Sequence, residues 1–339
     1  MANIAPSFQI VSPSFIEPGI ILPYVQASGA FETLYDGQPQ MKLSDGDLYV
    51  YMKRIDLRSR VAAGQSAYNQ LPSVSTTLSM ISTPSYLIRV RGEYDHHDTA
   101  AMGRWGVSIQ EAQRLGMRQG HFQFARTALL YGLNPSNGEG LVNANGATSV
   151  NLPPDSNGDT TVVTYDNGQM GLFLVQQIQQ IKTRTNQLGI GKKFTILGPQ
   201  RVLGTFEYNV VQLVQYQRGG AGTSSTAGLV KDVLAMNGDE ILWCYDDTLI
   251  GQGAGGNDLV VITMPEVTKP AGDKINTNEF AKLAPGIDAC TLMYCDMAAP
   301  REIPTPLAGG AIDVLQEWRI TSGWGIRPEA ITLISMQYQ

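Results

Sequence analysis

ARTALLYGLNPSNGEGLVN, residues 125–143, begins on helical spacing and then abruptly stops being a helix. Glycine-rich loops beside helices often hold phosphates, so a nucleotide site is the first reading. The second is a joint in a building block. Gly132 reads as a C-terminal glycine, and Pro135 forbids the helix from resuming. NPSNGEG then supplies successive turn residues before LVN continues.

Upstream, Met102, Trp105, Ile109, Ala112, Leu115, Phe122, Ala125 and Leu129 recur mostly at helical intervals between Thr99 and Tyr131. Asp98 is placed to cap the start. A helix over about residues 99–131 would approach 50 Å, at roughly 1.5 Å per residue. Gly103, Gly106, Gly116 and Gly120 allow a kink or break in it. Such a helix is a strut, and Trp105 on its apolar stripe is expected to anchor it against a sheet.

The surrounding pattern mixes strands and helices. Residues 1 to about 30 carry prolines at 6, 13, 18 and 23 with almost no charge, which favours an extended, apolar arm. Segments 45–61 and 84–94 read as strands joined by a long polar tip, an extended hairpin without a core of its own. GQMGLFLVQQIQQIKTRTNQLG (168–189) reads as a helix with Leu172, Val175, Ile178 and Ile181 on one stripe. KFTILGP is a short buried strand, and QRVLGTFEYNVVQLVQYQ another helix. That order belongs to an α/β unit. RGGAGTSSTAG (218–228) is a flexible loop. DEILWCYDDTLI and NDLVVITMPEV read as paired strands, and 317–336 as strand to the end.

Composition excludes several classes. Charged residues make up 16% of the 339, against roughly 25% in typical domains, which fits a surface that largely meets other protein. The net charge of −6 offers no basic field for nucleic acid or anionic membrane. Cys244, Cys290 and Cys295 lack metal-ligand spacing and sit among apolar neighbours, as small buried residues do. They fit a reducing cytoplasm. No signal-peptide pattern or 18-residue apolar run is present, so no membrane partner is expected.

Catalytic chemistry is sparse. GQGAGG (251–256) matches GxGxxG formally, but a strand rather than a helix follows, so it reads as a hairpin tip. His96 and His97 would point to opposite faces of an extended segment, a poor geometry for one metal. His121 reads as a polar-face or interface residue. Without a nucleophile elbow or an oriented Cys/His pair, no enzyme, catalytic residue, metal or cofactor is expected.

Taken in order, these segments resemble a tailed-phage major capsid protein of the Hong Kong 97 type. Three stretches carry the resemblance: the long helix ending ALLYG with its Gly/Asn loop and EGLVN (139–143); the helix before KFTILGPQRVLGTF; and WGIRPEAI (324–331). The resemblance implies an α+β fold with an N-terminal arm (1–39) and an extended β-hairpin loop (40–75). A peripheral domain with a spine helix (76–167), an α/β axial domain (168–311) and a closing strand of the peripheral domain (312–339) follow. It implies pentamers and hexamers of this chain, closing an icosahedral shell around phage double-stranded DNA held by confinement. Portal, scaffold or decoration proteins are the implied partners, and the virion capsid, assembled in the host cytoplasm, the location. The structural or intersubunit candidates are Trp105, Gly132, Glu139, Gly140, Asn143, Gly219, Gly220, Thr223, Ser224, Ser225, Arg327 and Pro328. The 218–228 loop is expected at the axial tip, where five or six copies converge. An encapsulin-like compartment subunit and a cytoplasmic α/β enzyme are the alternatives.

Overall fold

The computed structural model describes residues 29–34, 41–59, 74–103, 108–185, 191–211, 224–267, 290–307 and 309–339. A 3-10 turn, Gly29–Thr33, precedes strands β1 (Met41–Leu43), β2 (Tyr49–Ser59) and β3 (Val74–Tyr94), then helices α1 (His96–Gly103) and α2 (Ile109–Tyr131). Next come β4 (Thr148–Asn151), α3 (Asn167–Arg184), β5 (Lys193–Gly198), α4 (Gln200–Tyr208), β6 (Val210–Val211), β7 (Ser224–Ser225) and α5 (Thr226–Ala235). The chain continues through β8 (Glu240–Tyr245), β9 (Asp258–Thr263), β10 (Leu292–Met293), β11 (Cys295–Met297) and β12 (Arg301–Pro306). It ends with β13 (Ile312–Thr321), β14 (Trp324–Gly325) and β15 (Ile331–Met336).

The first large sheet runs β1-β11-β13-β3-β2, with β12 beside β13. Its organiser is β3, which pairs residues 85–94 with β13 and residues 74–84 with β2. One half of β3 therefore belongs to the body and the other half to a two-stranded arm. Val50, Met52 and Ile81 root that arm on Leu43, Met293, Cys295 and Trp324.

The second sheet runs β4-β15-β9-β5-β8. Phe194, Ile196, Val260 and Ile262 face Leu174, Ile178, Val202 and Val230 of α3, α4 and α5. Leu197, Leu259 and Val261, one residue out of phase, face the end of α2 and the Gly29–Thr33 turn. Covered on both sides, β9 is buried at every position, which is why its sequence is continuously apolar rather than alternating.

Several expectations change. The strut is described as two helices, α1 and α2, with 104–107 outside the described residues. Asp98 is not the first cap. Asp95 accepts from the Asp98 amide at 2.8 Å while Asp98 accepts from the Asp95 amide at 3.2 Å, a reciprocal box one turn earlier. Ser108 caps α2. The buried stripe of α2 is Met117, His121, Ala125 and Ala128, whereas Leu115 and Phe122 are exposed. Leu129 and Leu130 complete the buried side in the last turn, so Ala125 and Leu129 of the expected stripe do face inward. Leu172 of α3 is likewise exposed, and Leu174 faces inward.

Helix α4 ends at Tyr208, because Val210–Val211 pairs with β7 instead. Strands β8 and β9 are not partners, since β5 lies between them. GQGAGG is thus part of a crossing connection rather than a hairpin tip. The last stretch is not one closing strand: β13 joins the first sheet and β15 the second. Nor do the sheets divide the chain at 168 and 311, for β4 and β15 join the second sheet while β11 and β12 join the first. Among the described residues no helix is long and apolar enough to cross a membrane.

Candidate assembly surfaces

The last carbonyls of a helix have no partner within it. In α2 these are Ala128, Leu129, Leu130 and Tyr131. Gly132 and Gly323 donate to Ala128 at 3.1 and 3.0 Å, Leu141 to Leu129 at 2.9 Å, and Val142 to Leu130 at 3.0 Å. The Asn143 amide side chain donates to Tyr131 at 2.8 Å. EGLVN is therefore the helix's cap, folded back over its end, and all four carbonyls are met.

That fold-back needs glycine twice. Gly132 has φ 71° and ψ 165°, a conformation essentially closed to residues with a side chain, and its absent Cβ makes room for the Glu139 carbonyl. Gly140, at φ +92°, lies against the Tyr131 carbonyl carbon in the same way. Glu139 itself is buried, 3% exposed. Both its carboxylate oxygens accept from Tyr86 Oη at 3.1 Å, and Oε2 also accepts from the Asn134 amide at 3.1 Å. Burial, then the bond to Glu139, pushes the Tyr86 hydroxyl up to about 12.

The motifs that are far apart in sequence meet here. Glu139 bridges to Trp324, Gly140 donates to Gly323 at 2.6 Å, and Pro328 packs against Gly146. WGIRPEAI thus runs beside the loop after α2. Leu129, Leu130, Leu141, Leu197 and Ile331 share one core cluster with Ala30 and Leu34, so all three sequence stretches converge on it. Arg327 pairs with Glu329 at 3.5 Å at the partly exposed edge of this joint.

Not every candidate belongs to the joint. Ser225 caps α5, accepting from Gly228 at 3.1 Å, and Ser224 pairs with Val211. Trp105, Gly219, Gly220 and Thr223 lie outside the described residues. Sequence reasoning missed Tyr86 and Gly323, whose roles exist only across the joint. A lone tyrosine in a strand and a glycine between strands gave no signal.

The arm is the second surface. Tyr49 and Tyr51 stand side by side, ring centroids 6.1 Å apart, and further along the arm Met80 and Leu78 of β3 stand opposite Lys53 and Ile55. Tyr49, Tyr51, Leu78 and Met80 are more than half exposed. Arg319 clamps the arm's base, donating to the Asp47 carbonyl at 3.3 Å and to Ser85 Oγ at 3.0 Å. Hydrogen bonds from Ser44 hold the Asp47 carboxyl below the usual range.

No family model matches the sequence, and no curated protein matches it. Solved structures do. The chain is similar to a chain from the capsid of Myoviridae phage XM1, with TM-score 0.65 and 8% identity over 95% of this chain and 96% of that one. It is similar to the capsid of the native GTA particle, with TM-score 0.58 and 11% identity over 99% of each chain. The capsid of cyanophage P-SCSP1u matches with TM-score 0.57 and 10% identity over 96% of this chain and 93% of that one. Identities this low carry the fold alone, and the chain has the fold of a phage capsid protein.

Proposed function

We infer that the protein is a major capsid subunit of the Hong Kong 97 type, assembling through pentamers and hexamers into an icosahedral shell around phage double-stranded DNA. The observation that carries this reading is the arm. Two-stranded ribbons are marginal in water on their own, and this one exposes Tyr49, Tyr51, Leu78 and Met80 along one face. Large apolar side chains left exposed together on one face of a two-stranded ribbon mark a surface that another protein covers. The likeness to capsid chains over nearly the whole length supports further copies of this chain as the partner.

In this reading α2 is the spine, the sheet around β3 and β13 the peripheral domain, and the α3–α5 sheet the axial domain, with the 218–228 segment at its tip; its residues 224–228 form β7 and the start of α5 rather than the expected loop. The role is structural rather than catalytic, and DNA is held by confinement. Portal, scaffold or decoration proteins complete the particle. Negative-stain microscopy of the expressed chain tests the reading: closed particles are expected, and a chain that remains monomeric or a small oligomer refutes it.

A further inference from the structure

The carboxamide carbon of an asparagine can be attacked by the amide nitrogen of the next residue. A following glycine, without a Cβ, leaves that approach open, and asparagine is thermolabile for this reason. The chain has five such pairs: Asn137–Gly138, Asn145–Gly146, Asn157–Gly158, Asn167–Gly168 and Asn237–Gly238. In sequence they are alike. The fold separates them.

An amide attacks only after losing its proton, so one that donates a hydrogen bond is held back. The Gly138 amide donates to the Pro135 carbonyl at 3.0 Å, Gly158 to Asp155 at 3.0 Å and Gly238 to Ala235 at 2.9 Å. Asn167 and Gly168 are fixed in the first turn of α3. Gly146 is different. Its amide has no acceptor among the described residues, and the Asn145 carboxamide has no hydrogen-bond partner there either. Both residues are exposed, so water and hydroxide reach them.

The pair sits in the middle of a turn closed by the Ala147 amide on the Ala144 carbonyl at 3.1 Å, with Gly146 at φ +90°. That turn belongs to the joint after α2. Ala144 is buried and lies against Gly325. The Asn145 carboxamide lies over Gly138, in space that a Cβ there would fill, and Gly146 lies against Pro328.

We propose that Asn145 is a deamidation site, through which the joint acquires a new carboxylate as the protein ages. The Gly146 nitrogen, its proton taken by hydroxide, bonds to Asn145 Cγ. The Cγ–Nδ2 bond breaks, ammonia leaves with a proton returned by water, and a five-membered imide closes. Water then opens the imide. Opening at Cγ gives aspartate. Opening at the backbone carbonyl carbon gives isoaspartate, in which the main chain runs through Cγ and is one methylene longer. The balance is one water consumed and one ammonia released. Either product adds a negative charge to the joint, and isoaspartate also shifts Gly146 from its seat on Pro328. The inference stands apart from the shell reading and holds for a single copy of the chain.

The unmodified full chain tests it. Held in mildly alkaline buffer, it is mapped by electron-transfer fragmentation, which distinguishes isoaspartate from aspartate. The mass change of an NH-to-O exchange is expected to accumulate several-fold faster at Asn145 than at Asn137, Asn157, Asn167 or Asn237. In denaturant the five should react at similar rates. A folded chain in which Asn145 reacts no faster than Asn137 or Asn157 overturns the proposal, as does a lead of Asn145 that persists unchanged in denaturant. The aged chain should also unfold at lower urea than Asn145→Asp, which carries the charge without the extra methylene. Equal midpoints would overturn the claim that the joint feels the longer main chain.

Discussion

Gly132 and Glu139 are in backbone contact: a Cβ on the glycine would overlap the glutamate's carbonyl. This contact lets the loop turn back over α2 and cap it. Gly132→Ala is expected to cost at least about 1–3 kcal/mol from the backbone conformation alone, with the overlap adding to it. Gly116→Ala, in the same helix with open space around its Cα, is expected to stabilise by about 0.5–1 kcal/mol. Urea midpoints of the two variants should move in opposite directions; a neutral Gly132→Ala would show the joint to be pliable.

Tyr86 and Glu139 should behave as a coupled pair. Tyr86→Phe leaves a buried carboxylate with the Asn134 amide as its remaining described donor, at a cost of about 1–3 kcal/mol. In a double-mutant cycle with Glu139→Gln, a coupling above about 0.5 kcal/mol is expected. Additive effects would mean that the hydroxyl contributes nothing across the joint.

His121 makes the joint between α2 and the sheet sensitive to acid. It is 2% exposed, and neither ring nitrogen has a hydrogen-bond partner among the described residues. The β3 and β13 face beneath α2 offers Tyr86, Ile88, Val90, Gln316, Trp318 and Ile320, and the described carboxylates on that side already have partners: Glu302 of β12 pairs with Arg114, Asp296 of β11 with Lys42, and Glu139 accepts from Tyr86. Burial lowers the imidazole's pKa from its ordinary 6.5. Above that value the ring is neutral in both states and its contribution is fully present. As pH falls below it, the unfolded chain gains a proton that the folded chain refuses, so stability is lost at up to about 1.4 kcal/mol per pH unit. Comparing His121→Leu with the parent between pH 7 and 5 should show a shallower loss in the variant; equal slopes would place the acid sensitivity elsewhere.

Ser225 joins a helix cap to the proposed axial tip. Ser225→Ala should cost about 1 kcal/mol, while Ser225→Asp keeps an acceptor for the Gly228 amide. Asp at 223, 224 and 225 together is therefore expected to leave the fold intact, weaken capsomer formation at low salt and recover partly as salt screens the repulsion. Assembly unchanged at low ionic strength would move this segment away from the symmetry axis.

The sequence by itself determined the order of the parts. A helix end followed by turn residues is written in Gly132 and Pro135 because φ preference and a missing donor act locally, whatever the rest of the chain does. The α/β unit showed in the same way, through the spacing of Val175, Ile178 and Ile181 and the apolar run of β5.

What faces what was decided only by the tertiary structure. Leu115, Phe122 and Leu172 satisfy helical spacing as well as the residues that are buried, and only the packed chain shows that Met117, His121 and Ala128 lie on the covered side of α2 and Leu174 on that of α3. Strand partners were equally hidden: β5 separates β8 from β9, and β15 leaves the sheet of β13 for the other. The meaning of EGLVN was hidden for the same reason. Its amides cap carbonyls that α2 alone leaves unmet, and its glutamate meets Tyr86 from a strand far away in the chain. Hydrogen bonds between distant segments leave no periodicity in a sequence, so only the folded chain could reveal them.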